Sequence, residues 1–413
     1  MNNLFSKRNV IILSIVVVLL LSFAVYFFGT RSQTQSPIDF FRGIFPGGGA
    51  DQPTSQQSSI TPAEQTAIQI LQEQGPRGLP QWTLVQLGDD PIASLVSFGT
   101  TTRYHKITPQ NLGHMFERQK STLDQEKRMS NLLIQKIARV DWSPRGNKAV
   151  VTYYNDEQDL QKFLIEYLGT TTPKTHFLEN SMIDAAFSPA GDKIAYIDTA
   201  GGNNDIFIAD TGFKGAKKIF ENNIPGFEIS WPTANVLALK SKSSYAADGY
   251  LYTLGAGGGT LKKIAQGLGL DAVFSSDGRL AFYTTVNTAR RPQPAGIYEL
   301  KTAKTQALPI NTIAEKCVFG KENPIIVYCG VPQFIPAGLY PDAWWQGKVS
   351  FADSIVVIDT STMRQIQSVA TQSDIIDPVI FDDDSYLFFR DKTTDRLWAL
   401  KLKDDTTGTL PPQ

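Results

Sequence analysis

The longest apolar run in the chain extends from Val10 to Phe28 and holds no charge, no proline and no glycine; its polar atoms are the hydroxyls of Ser14, Ser22 and Tyr26. As a helix it rises roughly 28 Å, close to the thickness of a bilayer's hydrocarbon core. The run predicts one transmembrane helix over residues 10–28. Lys7 and Arg8 precede it, against Arg31 and Arg42 beyond it, a bias that places residues 1–9 in the cytoplasm and the remainder outside. A cleaved signal peptide has the same basic start and is the rival. The length of the run, and the absence of a small-x-small site at Phe27-Phe28-Gly29-Thr30, favour an uncleaved signal anchor. No cysteine directly follows the run to accept a lipid.

Hydrophobic patterning then lapses. Residues 29–60 are dominated by Gly, Ser, Thr, Gln and Pro, a composition that buries too little surface to fold and reads as a flexible linker. Within it, Phe40, Phe41, Ile44 and Phe45 form an apolar face, suited equally to a bilayer surface or to a sticky stretch of linker. Thr61-Pro62-Ala63-Glu64 is a capping box with proline at the first helical position, followed by Ala67, Ile70 and Leu71 at helical spacing. It predicts a short helix over 61–75, stopped by Gly75 and Pro76.

Beyond this point a repeat replaces helical spacing. VDWSPRGNKAVVTYY from Val140, AAFSPAGDKIAYID from Ala185, ISWPTANVLALK from Ile229, AVFSSDGRLAFYT from Ala272 and CVFGKENPIIVYC from Cys317 share one plan: a short apolar strand ending in an aromatic, a polar turn, then a second apolar strand. The aromatics Trp142, Phe187, Trp231, Phe274 and Phe319 lie 45, 44, 43 and 45 residues apart. Weaker copies end at Phe98 and Phe381. Third strands such as Asn204–Ala209 and Gly249–Leu254, and fourth strands such as Lys217–Phe220, complete each unit. Four antiparallel strands in such a unit make one blade of a β-propeller. The last unit lacks a fourth strand before the polar tail 404–413, while Trp82–Leu87 supplies a strand with no unit of its own. Joining the two closes the ring and removes both free edges. The expected fold is all-β: a seven-bladed β-propeller of four-stranded antiparallel blades over 82–403, preceded by the transmembrane helix.

The turn pattern, sharpest in Ser188-Pro189-Ala190-Gly191-Asp192-Lys193-Ile194-Ala195-Tyr196, resembles the WD-like repeat of TolB-type propellers over most of the chain. That motif implies blade structure and carries no activity.

Cys317 and Cys329 fall on the first two strands of the sixth blade, six residues either side of Asn323, so the hairpin can place them opposite each other. A disulfide fits an extracytoplasmic location, two buried thiols being the alternative. Between Phe319 and Phe381 the spacing is 62 residues, and the excess falls in Val331–Asp353. Phe334, Tyr340, Asp342, Trp344 and Trp345 there are candidate partner-binding residues; the alternative is that the insertion folds back to plug the central channel or cap the blade, with both Trp rings buried.

The charge balance, 39 Lys and Arg against 40 Asp and Glu with no long single-sign run, argues against a nucleic-acid partner. Three histidines, His105, His114 and His176, come without a metal-binding or phosphate-binding motif, so no cofactor, metal or catalytic residue is assigned. Asp382-Asp383-Asp384 reads as a solvated turn in preference to a calcium site. The sequence thus points to a non-enzymatic binding or scaffold module. It would be held outside the cell membrane by residues 10–28 in the lipid bilayer and recognise a protein or an envelope polymer. The alternative is a propeller-type hydrolase or lyase with a site in the central channel.

Overall fold

The computed structural model describes residues 61–75, 79–110, 112–169 and 171–403. The expected helix at 10–28, the linker 29–60 and the tail 404–413 lie outside the described residues. No helix among the described residues is long and apolar enough to cross a membrane.

Helix α1, Pro62–Gln74, begins as the sequence dictates. The Thr61 hydroxyl accepts the Glu64 amide at 3.3 Å, and the Glu64 carboxylate accepts the Thr61 amide at 2.6 Å. After it come seven four-stranded antiparallel sheets. Blade 1 is β2–β5 (92–128), blade 2 is β6–β9 (137–177), blade 3 is β10–β13 (182–220) and blade 4 is β14–β17 (227–268). Blade 5 is β18–β21 (271–311) and blade 6 is β22–β25 (317–370). Blade 7 takes β26 (Ile375–Ile380), β27 (Tyr386–Asp391) and β28 (Leu397–Lys401) from the end of the chain, and β1 (Leu84–Gln86) from before blade 1.

The closing strand pairs Leu84 with Leu400, Val85 with Ala399 and Gln86 with Trp398. The clasp extends past the ladder: the Trp82 amide donates to the Lys401 carbonyl at 2.7 Å, and the Lys401 ammonium donates to the Leu79 carbonyl at 2.6 Å. Behind it, Ala67 and Leu71 of α1 pack into the seam between blades 7 and 1 with Val85, Tyr104, Phe381 and Phe388. The helix therefore helps to close the ring as well as leading into it.

The turn motif has a common hydrogen-bond basis. Ser143, Ser188 and Ser275 each accept, on the side-chain oxygen, the amide five residues on, at 3.0 Å in every case. The glycine three residues after each serine sits at φ 60°, 71° and 65°, the left-handed conformation that glycine adopts without a Cβ clash. At Gly146 a Cβ would also meet the Phe98 ring of blade 1 at 2.2 Å, so the motif glycine admits the aromatic of the preceding blade.

Asp382-Asp383-Asp384 differs from the expected solvated turn. Asp384 is buried, and its carboxylate accepts the amides of Lys321 (2.7 Å), Glu322 (3.3 Å) and Asn323 (3.0 Å) from blade 6. Asp382 accepts from the Gly99 amide of blade 1 and from Lys321. The acidic run bolts three blades together.

Strand direction fixes two faces. All first strands start on one face, which also bears the loops between second and third strands. The turn motifs lie on the other. Because β1 is a fourth strand and β28 a third, β1 starts and β28 ends on the turn-motif face.

Cys317 and Cys329 are register partners and form a disulfide. Its reduction should lower the unfolding free energy by roughly 2–3 kcal/mol, from the entropy of the short loop it closes, read as a fall in denaturation midpoint. Replacing Asp384 by Ala strands three blade-6 amides. It should lower stability by about 3 kcal/mol in chemical denaturation, whereas Ser361→Ala, at an exposed turn of blade 6, should leave the midpoint nearly unchanged.

Candidate functional site

Two features share the face opposite the turn motifs: a cap built by the insertion, and a cleft between blades 2 and 3.

The insertion joins β23 (Ile326–Pro332) to β24 (Asp353–Asp359) and contains the one-turn helix α2, Asp342–Trp345. Of the five residues expected to meet a partner, Tyr340 and Trp344 are 0% exposed and form part of a core with Val286, Ile313, Phe351 and Ile376. They present no surface, because a rigid, apolar ring beside apolar strand ends is more stable packed than solvated. Asp342 is a brace: its carboxylate accepts the Tyr245 amide at 2.8 Å and the Ser244 hydroxyl at 3.2 Å, both from blade 4. Phe334 and Trp345 do face solvent, at 76% and 37% exposure, and the Trp345 indole donates to Glu315 at 2.6 Å.

Beneath the cap lies a buried charge cluster. Lys316, 0% exposed, donates to Asp353 at 2.6 Å, to Asp374, and to the Ile375 carbonyl at 3.1 Å. Its ammonium stands 4.7 Å from the Trp344 ring centre and 5.0 Å from that of Phe351. The Trp344 indole donates to Asp374 at 2.8 Å, and the Phe351 amide donates to the same carboxylate at 3.2 Å. The cap is thus fixed to blades 6 and 7 through one lysine and two aspartates. Arg291 ties it to blade 5 by donating to the carbonyls of Ile335 and Pro336 at 2.7 and 2.6 Å.

On the side of the ring formed by blades 2 and 3, Arg139 of β6 (Ile137–Trp142) donates to Asp141 at 2.8 Å and pairs with Asp184 of β10 (Met182–Phe187) at 2.8 Å. Asp184 also accepts the Ile229 amide of blade 4 at 2.6 Å. With Lys162 of β8 (Leu160–Glu166), these residues line a cleft of about 230 Å³ whose remaining walls include Val150, Leu160, Met182 and Ile183. Burial, reinforced by Asp184 and Glu228 and opposed by Arg139, pushes Asp141 up to about 7. Burial and then the nearby Arg139 lower Lys162, against the pull of Asp184 and Asp141.

Neither Arg139 nor Asp184 was anticipated from the sequence, although a signal is present. The residue three places before each motif aromatic is charged in five successive blades: Arg139, Asp184, Glu228, Asp271 and Lys316. The structure gives these positions one task. Arg139 reaches Asp184, Lys240 joins Glu228 (3.2 Å) to Asp271, and Asp271 accepts the Glu315 amide at 3.1 Å, so each brace crosses to the next blade.

The histidines are structural. His105 is buried between Ser94 (2.8 Å) and Tyr167 (2.9 Å) and stacks on Trp142 with ring centres 5.2 Å apart; burial lowers it to about 3. His114 contacts Arg128 at 2.9 Å, and His176 is exposed on an outer strand. Among the described residues no group of three or more His, Cys, Asp or Glu is placed to hold a metal ion.

The buried carboxylates set a pH dependence. Asp141 and Glu315 lie near 7, and Asp353 near 6, each raised first by burial. A carboxyl whose pKa is higher folded than unfolded stabilises in its protonated form, and that contribution is lost as pH rises through the folded value. Stability should therefore increase as pH falls from 8 to about 6.5; below that, His105, held neutral in the fold, opposes the gain as the unfolded state takes up its proton. Melting temperature should therefore rise as pH is lowered from 8 to 6.5, and Asp141→Asn should flatten that rise.

No protein-family model matches the chain, and no curated protein matches it. Solved structures do. An oligogalacturonate lyase in complex with manganese is similar at TM-score 0.54 and 9% identity, covering 79% of this chain and 99% of the lyase. The oligogalacturonate lyase of Vibrio parahaemolyticus is similar at TM-score 0.54 and 10% identity, covering 78% and 94%. Tricorn protease matches over 78% of this chain and 35% of its own, at TM-score 0.48 and 8% identity. At these identities the two lyases share with this chain the seven-bladed fold.

Proposed function

We propose that the protein is an extracytoplasmic binding module, tethered to the cell membrane by residues 10–28, that presents its capped face to a protein or envelope-polymer partner. The observation that carries this reading is the construction of the cap. Lys316 pairs with Asp353 and Asp374 in full burial, with one Asp353 oxygen left without a partner, and this cluster holds a surface insertion while Phe334 and Trp345 stay exposed. Preorganised exposed aromatics of this kind suit recognition, since little ordering entropy remains to be lost on binding. Strand β1 also starts on the opposite face.

A hydrolase or lyase acting in the cleft is the second reading, favoured by Asp141 titrating near neutrality beside Lys162. Incubation with oligogalacturonate, followed by ultraviolet detection of an unsaturated product, tests it directly. Activity abolished by Asp141→Asn would replace the first reading with this one.

The binding reading is tested with point variants, since removing residues 331–353 would also remove the buried Trp344 and Tyr340. Crosslinked partners recovered from envelopes with the wild-type chain should fall at least tenfold with a Phe334→Ala, Trp345→Ala double variant whose melting temperature is unchanged. Equal recovery would remove the cap from the recognition surface.

A further inference from the structure

The cleft between blades 2 and 3 has a charge arrangement that selects a ligand class. Arg139 and Asp184 are spent on each other and on backbone: Arg139 holds both carboxylates, and Asp184 also receives the Ile229 amide. Two groups remain uncommitted. One oxygen of Asp141 takes both contacts from Arg139, at 2.8 and 2.7 Å, and its other oxygen meets no donor among the described residues. Lys162 makes no hydrogen bond or ion pair among the described residues, although its pKa responds to Asp184, Arg139 and Asp141, which places it within their field. A carboxylate with one unpaired oxygen and an unpaired ammonium therefore belong to two residues that line one cavity of about 230 Å³.

We infer that this cleft binds a small zwitterion of amino-acid size, its carboxylate on Lys162, its ammonium on Asp141, and an apolar side chain against Leu160, Met182 and Ile183. The volume equals roughly eight water molecules at about 30 Å³ each, enough for one such molecule and too little for a folded segment. Charge argues for the zwitterion over either ion. An anion would satisfy Lys162 but stand against Asp141, Asp184 and Glu228; a cation would satisfy Asp141 but stand against Arg139 and Lys162. A zwitterion satisfies both free groups and adds no net charge to the two acids and two bases of the cleft wall. Leu160 and Ile183, both exposed apolar residues at the rim, give the side chain its surface.

The test is calorimetric titration of the full chain in detergent with L-leucine, N-acetyl-L-leucine and L-leucinamide as probes. L-leucine should bind with a submillimolar Kd, and blocking either its ammonium or its carboxylate should weaken binding at least tenfold. Lys162→Met, a half-exposed position whose loss leaves the Arg139 bridges in place, should weaken L-leucine binding at least tenfold with an unchanged melting temperature. Leu160→Ala should reduce the preference for leucine over alanine. Because Asp141 must be ionised to receive the ammonium, and Arg139, Lys162, Asp184 and Glu228 face it from β6, β8, β10 and β14 (Phe227–Thr233), affinity should rise about tenfold between pH 6 and pH 8. Absence of binding by millimolar L-leucine, equal binding of the blocked compounds, or an unaltered Kd in Lys162→Met would each overturn the assignment.

Discussion

Ring closure by β1 on β28 is the constraint on which the rest of the molecule depends. Each blade buries its faces only against its neighbours, so an open ring would expose the apolar sides of blades 7 and 1 and leave an unpaired strand edge. The three ladder pairs of β1 are few for such a task, and the surrounding contacts show how the seam is reinforced. Lys401 reaches back to the Leu79 carbonyl, Arg118 of blade 1 holds the Leu87 carbonyl, and Ala67 and Leu71 of α1 cover the joint. The helix and the strand after it are parts of one clasp.

Around the ring, polar braces accompany the apolar packing between blades. On one face, charged side chains three places before the motif aromatics reach across from blade to blade; on the other, Asp382 and Asp384 engage the turns of blades 1 and 6. These contacts fix the rotation of each blade relative to the next, something greasy contact alone specifies poorly. The same device, made fully buried at Lys316, secures the cap. The asymmetry between the covered side, blades 4 to 7, and the side of blades 2 and 3 with its cleft follows from where the single long insertion falls.

Most of the fold was legible in the sequence because a blade writes its period directly into the spacing of its aromatics and its serine–glycine turns. The joining of Trp82–Leu87 to the last unit, and the pairing of Cys317 with Cys329, could be read for the same reason, since both follow from strand register. The candidate site was legible only in part. The insertion could be located by its excess length, but whether Trp344 points in or out depends on Lys316, Asp353 and Asp374, which converge from 58 residues of sequence and share no local pattern. Arg139 and Asp184 did leave a trace, as charges at a fixed offset from each aromatic, masked because that offset lies inside strands otherwise read as apolar. Asp384 was misleading: an acidic turn looks solvated until the amides of another blade are placed around it.

The location of the clasp bears on mechanics. The strand that shuts the ring is the first strand after the expected stalk, so tension in the preceding chain meets α1, packed in the seam, and then Leu79 and Trp82, before it reaches any blade interior. Drawn along its own axis, β1 would load its ladder bonds together in shear; drawn sideways, it would yield them one at a time like a zip. Lys401, anchored at the carbonyl of Leu79, sits where such unzipping would have to start, and makes the direction of pull a determinant of how long the ring survives under load.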